Sequence, residues 1–156
     1  IDSREQQLSV LETLFVNRNI QNEVFIAGRP VKKGWMSSRF GMRVDPITGK
    51  RAFHNGVDFA GKLGADVVAV AAGVVVYADA RSGYGEMVEI NHGGGFSTRY
   101  GHHDKLIVKV GDIVKKGQVV GKMGSSGRST GPHVHYEVYK NGRVVDPSSY
   151  VQRASR

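Results

Sequence analysis

The residues best suited to chemistry in this chain are its histidines, six in all, and two spacings bring some of them together. His133-Val134-His135 opens a run of β formers that continues to Tyr139. Residues two apart on a strand share a face, so both imidazoles enter one space while Val134 and Tyr136 turn into packing. Such a pair on an otherwise apolar strand is costly to bury unless something neutralises or ligates it. The second group is His54-Asn55-Gly56-Val57-Asp58. Its spacing of four suits a helix face or a strand face, and Gly56 favours a strand or turn. His54 and Asp58 then share parity and can converge on one ion. A carboxylate with two neutral imidazoles leaves a fourth tetrahedral position for water, the pattern of a catalytic zinc site. Hard cations want more oxygens, and the chain has no cysteine, which excludes thiolate sites and cysteine nucleophiles. Zinc is the expected metal.

Other polar residues carry weaker signals. Tyr100-Gly101-His102 follows a strand candidate at a glycine-marked turn, a place from which a side chain can reach a cleft. The competing reading is a surface histidine beside the equally polar His103 and Asp104. His92 reads as an ordinary residue of the turn into Gly93. Glu137 shares strand parity with His135, yet a solvent-facing or structural role is preferred over one supporting a metal ligand. There is no H-E-x-x-H helix, so a glutamate base of that class is excluded.

The elements that must position these side chains are short. Residues 3–18 read as a helix, with Ser3 and Gln6 at capping-box spacing and Leu8, Leu11, Leu14 and Phe15 on one face. Residues 19–36 lose that period and read as an extended connector. Strands are expected at Val67–Val70, Val74–Tyr77, Met87–Ile90, Ser97–Tyr100, Val119–Lys122 and Val134–Tyr139, with turns at Gly93-Gly94-Gly95 and Asn141-Gly142. Many short strands and 21 glycines imply a mainly β fold, an antiparallel sandwich or barrel-like sheet behind one N-terminal helix. The expected organisation is residues 1–33 as helix and connector, then one domain over 34–156, within the length of a single core.

The chain carries 22 Lys and Arg against 14 Asp and Glu, a formal charge of +8. A basic balance suits nucleic acid, an anionic membrane surface or an acidic wall polymer. Because the basic residues are scattered, not gathered in one helix or arm, nucleic acid is not expected as a partner. The longest apolar run, around Val67–Ala78, is too short and interrupted to cross a bilayer. The sequence opens at Ile1 without an initiator Met, so it reads as a processed or trimmed fragment.

Taken together, these motifs resemble the M23 (lysostaphin/LytM-like) peptidoglycan metallopeptidases over about Ser37 to Tyr150. The resemblance rests on Ser38-Arg39-Phe40-Gly41-Met42-Arg43, Asp45-Pro46, His54-Asn55-Gly56-Val57-Asp58-Phe59, Tyr100-Gly101-His102 and Gly131-Pro132-His133-Val134-His135-Tyr136-Glu137. It implies a lysostaphin/LytM-type fold in which His54, Asp58 and His135 bind zinc while His102 and His133 are catalytic. It further implies a periplasmic or cell-envelope location, with peptidoglycan stem peptides and cross-bridges as the partner. The stretch from Arg43 to Gly49 is most similar to Gram-negative members, which cut D-alanyl-diaminopimelate bridges; pentaglycine bridges, the target of the lysostaphin-type branch, are the lesser alternative. Membrane anchoring through a missing N-terminal segment stays open, as does the oligomeric state. Two alternatives are a silent activator of wall amidases and a biotinyl/lipoyl-like carrier. The carrier reading is suggested by Val108 to Val119, with Lys122-Met123 nearest its modifiable lysine.

Overall fold

The computed structural model describes residues 24–44, 47–124 and 131–153. The helix expected over 3–18 lies outside the described residues, as do Asp45 and Pro46. Each segment expected to be a strand overlaps one. β5 (Asp66–Val68), β6 (Gly73–Arg81), β7 (Gly85–Gly93), β8 (Phe96–Leu106), β10 (Val119–Met123) and β11 (His133–Lys140) cover all six. Shorter strands complete the set: β1 (Trp35–Ser38), β2 (Gly41–Val44), β3 (Arg51–His54), β4 (Val57–Ala60), β9 (Ile113–Val114) and β12 (Arg143–Val145). A single helical turn, α1 (Ser148–Val151), follows. The fold is mainly β, as expected.

Among the described residues, ten strands form one antiparallel sheet whose main path runs β1-β4-β11-β8-β7-β6-β9, with β10 bridging β8 and β5. β2 and β3 form a separate two-stranded ribbon. The hairpin from β11 to β12 turns on Asn141 (φ 53°) and Gly142 (φ 78°), the pair of left-handed residues that a tight two-residue hairpin requires.

Alternation decides which side chains reach the core. On β11 the residues Val134, Tyr136 and Val138 are fully buried in the apolar cluster, joined from β4 by Val57 and Phe59. Their odd-numbered neighbours His133, His135 and Glu137, with Asp58 of β4, therefore lie on the opposite face. Register completes the placement: His135 pairs with Asp58 on one side and with Gly101 of β8 on the other. Ile26, Ala27 and Val31, which precede β1, are buried as well.

A candidate metal centre and its histidine neighbours

His54, Asp58 and His135 converge. Asp58 and His135 are directly opposite across the β4–β11 ladder, and His54 arrives from β3 in the small ribbon. His54 and Asp58 do not share one strand; of the strand or turn that Gly56 favoured, the turn is what forms. The chain turns between them at Asn55-Gly56, and the ribbon folds His54 over the sheet. Gly56 permits this, since a Cβ there would stand 2.2 Å from the Tyr136 carbonyl oxygen.

One donor atom from each residue lies within 4.8 Å of the others. His135 Nδ1 is 2.8 Å from Asp58 Oδ1, His54 Nε2 is 3.3 Å from the same oxygen, and the two nitrogens are 3.2 Å apart. Ligands at ordinary zinc bond lengths define a tetrahedron with edges of about 3.3 Å, close to this triangle.

The outward nitrogens explain the arrangement. His54 Nδ1 donates to the Arg39 carbonyl oxygen at 2.8 Å, and His135 Nε2 donates to Glu137 Oε2 at 2.7 Å. Both acceptors take only protons, so each neutral ring turns a bare lone pair inward, toward a carboxylate. Two lone pairs and an anionic oxygen this close need a cation among them. Without a metal, a proton fills the need. Burial opposes charge on His135, yet hydrogen bonds to Asp58 and Glu137 outweigh it and push its pKa up to about 9. Burial likewise opposes charge on Asp58, but bonds from His135 and His54 hold its carboxyl far below the usual carboxylate range. With nitrogen and oxygen donors only, tetrahedral spacing and anchored tautomers, the set fits zinc.

His102 and His133 stand beside this triangle. Their rings are 4.7 Å apart between centroids, and His133 Nε2 is 3.9 Å from Asp58 Oδ2. His133 Nδ1 donates to the Gly131 carbonyl oxygen at 2.8 Å, which leaves Nε2 to face the site as an acceptor. His102 is buried and lies inside a strand, not after one: β8 continues to Leu106. Its φ of 65° marks a bulge, where the pairing with β7 shifts between Val88 and Glu86. The bulge breaks the alternation and aims the ring at His133.

Residues 52–147 match the family model described as Peptidase family M23. The chain belongs to peptidase family M23. It is 44% identical over 119 residues to the peptidoglycan DD-endopeptidase ShyA of Vibrio cholerae, covering 75% of this chain and 28% of that protein. It is 37% identical over 129 residues to the lipoprotein NlpD/LppB homolog of Pseudomonas aeruginosa, covering 82% of this chain and 43% of the relative. A crystal structure of a zinc containing peptidase from Vibrio cholerae superposes with a TM-score of 0.73 at 36% identity, over 84% of this chain and 40% of that one. The chain thus spans less than half the length of these relatives.

Within this M23 domain, three residues differ from their sequence reading. Glu137 is not solvent-facing: it is 1% exposed and bonds His135, Tyr84 at 3.0 Å and Tyr139 at 2.9 Å. Burial alone would raise its pKa, but the His135, Tyr139 and Tyr84 contacts lower it, so Glu137 is ionised. Behind it, Arg99 bonds Glu89 at 2.7 Å and approaches Glu137 Oε1 at 3.9 Å. His103 is fully buried, not a surface neighbour of His102, and its Nδ1 donates to the Glu86 carbonyl oxygen at 2.9 Å. His92 is buried within β7, donating to the Ala72 carbonyl oxygen and meeting Thr98 Oγ1, each at 2.7 Å. Tyr84 had no sequence signal. Its role depends on β7 and β8 bringing it beside His135, 5.8 Å between ring centroids.

Proposed function

We propose that the chain is a zinc-dependent endopeptidase that hydrolyses peptide cross-links of bacterial peptidoglycan, specifically D-alanyl-diaminopimelate bridges. His54, Asp58 and His135 hold the metal, and His102 and His133 act on the substrate. What carries the reading is the trio of donors whose outer nitrogens are both anchored, so that the inward lone pairs face one point. Bound there, zinc would acidify a water and polarise the scissile carbonyl. His133 Nε2, held as an acceptor by the Gly131 contact, takes the water proton. His102, aimed by its bulge at the same space, steadies the charge that develops on the carbonyl oxygen. Kinship with a relative named peptidoglycan DD-endopeptidase supports the substrate class, and an extracytoplasmic location follows from it.

The carrier reading loses its lysine. Lys122 lies within β10, ion-paired with Asp66, and not at a hairpin tip. The activator reading is favoured by the likeness to an NlpD/LppB homolog. Against it, no donor of the metal trio is missing.

The deciding experiment is mass spectrometry of muropeptides after digestion, with and without a zinc chelator. Cross-linked dimers should disappear only when zinc is available. Alanine at His102 or His133 should keep the bound zinc and reduce cleavage by about 100-fold or more. Amidase stimulation without any intrinsic cleavage would establish the activator reading instead.

A further inference from the structure

Arg43 occupies a position that the metal trio and the two catalytic histidines leave unexplained. In the small ribbon Gly41 pairs with His54 and Arg43 with Ala52, so Arg43 stands on the face that delivers His54. The pair between them, Met42 and Phe53, projects from the other face and is exposed. Arg43 Nη2 lies 4.0 Å from Asp58 Oδ2, the same oxygen that His133 Nε2 approaches at 3.9 Å. At 4.0 Å the guanidinium feels the carboxylate without forming a hydrogen bond to it. Asp58 meanwhile spends its Oδ1 on the two imidazoles.

The other guanidinium near the site, Arg99, is committed behind His135 to Glu89 and Glu137. Arg43 is on the open side, with its side chain 35% exposed. A planar, permanently charged fork, partly exposed beside the donor trio and across from a residue as small as Ala52, is suited to a carboxylate held through two parallel hydrogen bonds.

We infer that Arg43 binds a carboxylate on the carbon that carries the scissile nitrogen, and so selects diaminopimelate cross-links over lysine or glycine ones. In a diaminopimelate bridge the carbon bearing the linked amine also bears a carboxylate, whereas a lysine or oligoglycine bridge has none there. Because Arg43 Nη2 and His133 Nε2 lie 4.0 and 3.9 Å from one oxygen, they are no more than about 7.9 Å apart, a span that a carboxylate one carbon from the scissile nitrogen can bridge. The inference rests on the peptidase reading and names the feature of the substrate that this side chain reads.

The test uses two synthetic D-alanyl cross-linked peptides, one joined through diaminopimelate and one through lysine, with the zinc-loaded protein. Wild type should prefer the diaminopimelate peptide by about 10- to 100-fold in kcat/KM, mostly through KM. Arg43→Gln should bring that ratio to within about threefold of unity, with Arg43→Lys between the two. The ratio is internal to each protein, so a general loss of activity cancels. A preference that survives Arg43→Gln, or its absence in wild type, overturns the inference. If wild type cuts neither peptide, the peptidase reading fails, and calorimetry on the uncut peptides then decides the role of Arg43. Tighter binding of the diaminopimelate peptide, lost in Arg43→Gln, sustains it; equal binding overturns it.

Discussion

Glu137 illustrates how a single carboxylate can set the properties of a site it does not enter. Its Oε2 accepts a hydrogen bond from His135 Nε2, which fixes the tautomer and presents Nδ1 to Asp58 and His54. Hydroxyls of Tyr84 and Tyr139 satisfy its remaining acceptor capacity, so the charge is buried but not orphaned. Glu137→Gln keeps the shape and removes the charge, and its amide NH2 would confront donors. Zinc affinity is expected to fall by about 10- to 100-fold, read by competition with a chelator at fixed pH. An unchanged dissociation constant would mean that packing alone orients His135. Parity placed Glu137 on the correct face from sequence. Its burial was hidden, because Tyr84 comes from the turn between β6 and β7 and Arg99 from β8, and neither has a spacing relation to it.

The ribbon β2–β3 and the junction into β4 carry the geometry at the scale of elements. A two-stranded ribbon has little stability of its own, so His54 depends on how the chain enters β4. At Gly56 a Cβ would meet the Tyr136 carbonyl oxygen at 2.2 Å and Glu137 Cγ at 2.9 Å. The first of these is backbone and cannot rotate away. Gly56→Ala should therefore cost about 1–3 kcal/mol in denaturant unfolding, and should weaken zinc binding by displacing β3 from β11. Wild-type stability and affinity in that variant would show that the junction tolerates the shift. The valine-rich strands and the H-x-H face were legible from period alone, because alternation is a local property. The His54–Asp58 junction was legible only as a spacing. One strand face and two strands joined by a turn both satisfy four residues, and long-range pairing with β11 chose the second. The bulge at His102 had no local signature beyond Gly101, so the expected turn became the middle of β8.

At the scale of the whole molecule, buried histidines give the fold two opposed responses to pH. His92 and His103 are buried, each with Nδ1 donating to a backbone carbonyl. Burial lowers both of their pKa values, and the backbone bonds recover only part of that shift. In the unfolded chain they titrate near 6.5, so below that pH the unfolded state binds more protons and stability is lost as pH falls. In the metal-free protein His135 acts the other way, since its pKa rises to about 9 on folding. Its contribution is complete below about 6.5 and disappears as pH climbs through about 9. Metal-free protein should therefore be most stable near pH 6.5, with a slope of up to about 1.4 kcal/mol per pH unit for each titrating group on either side. Urea unfolding from pH 5 to 9.5 in the presence of a chelator measures this curve. His92→Gln should flatten the acid limb alone, since an amide does not titrate, and saturating zinc should remove the alkaline decline by replacing the proton at His135. An acid limb that keeps its full slope in His92→Gln would assign it to His103, since Asp58 loses its stabilising contribution only at lower pH.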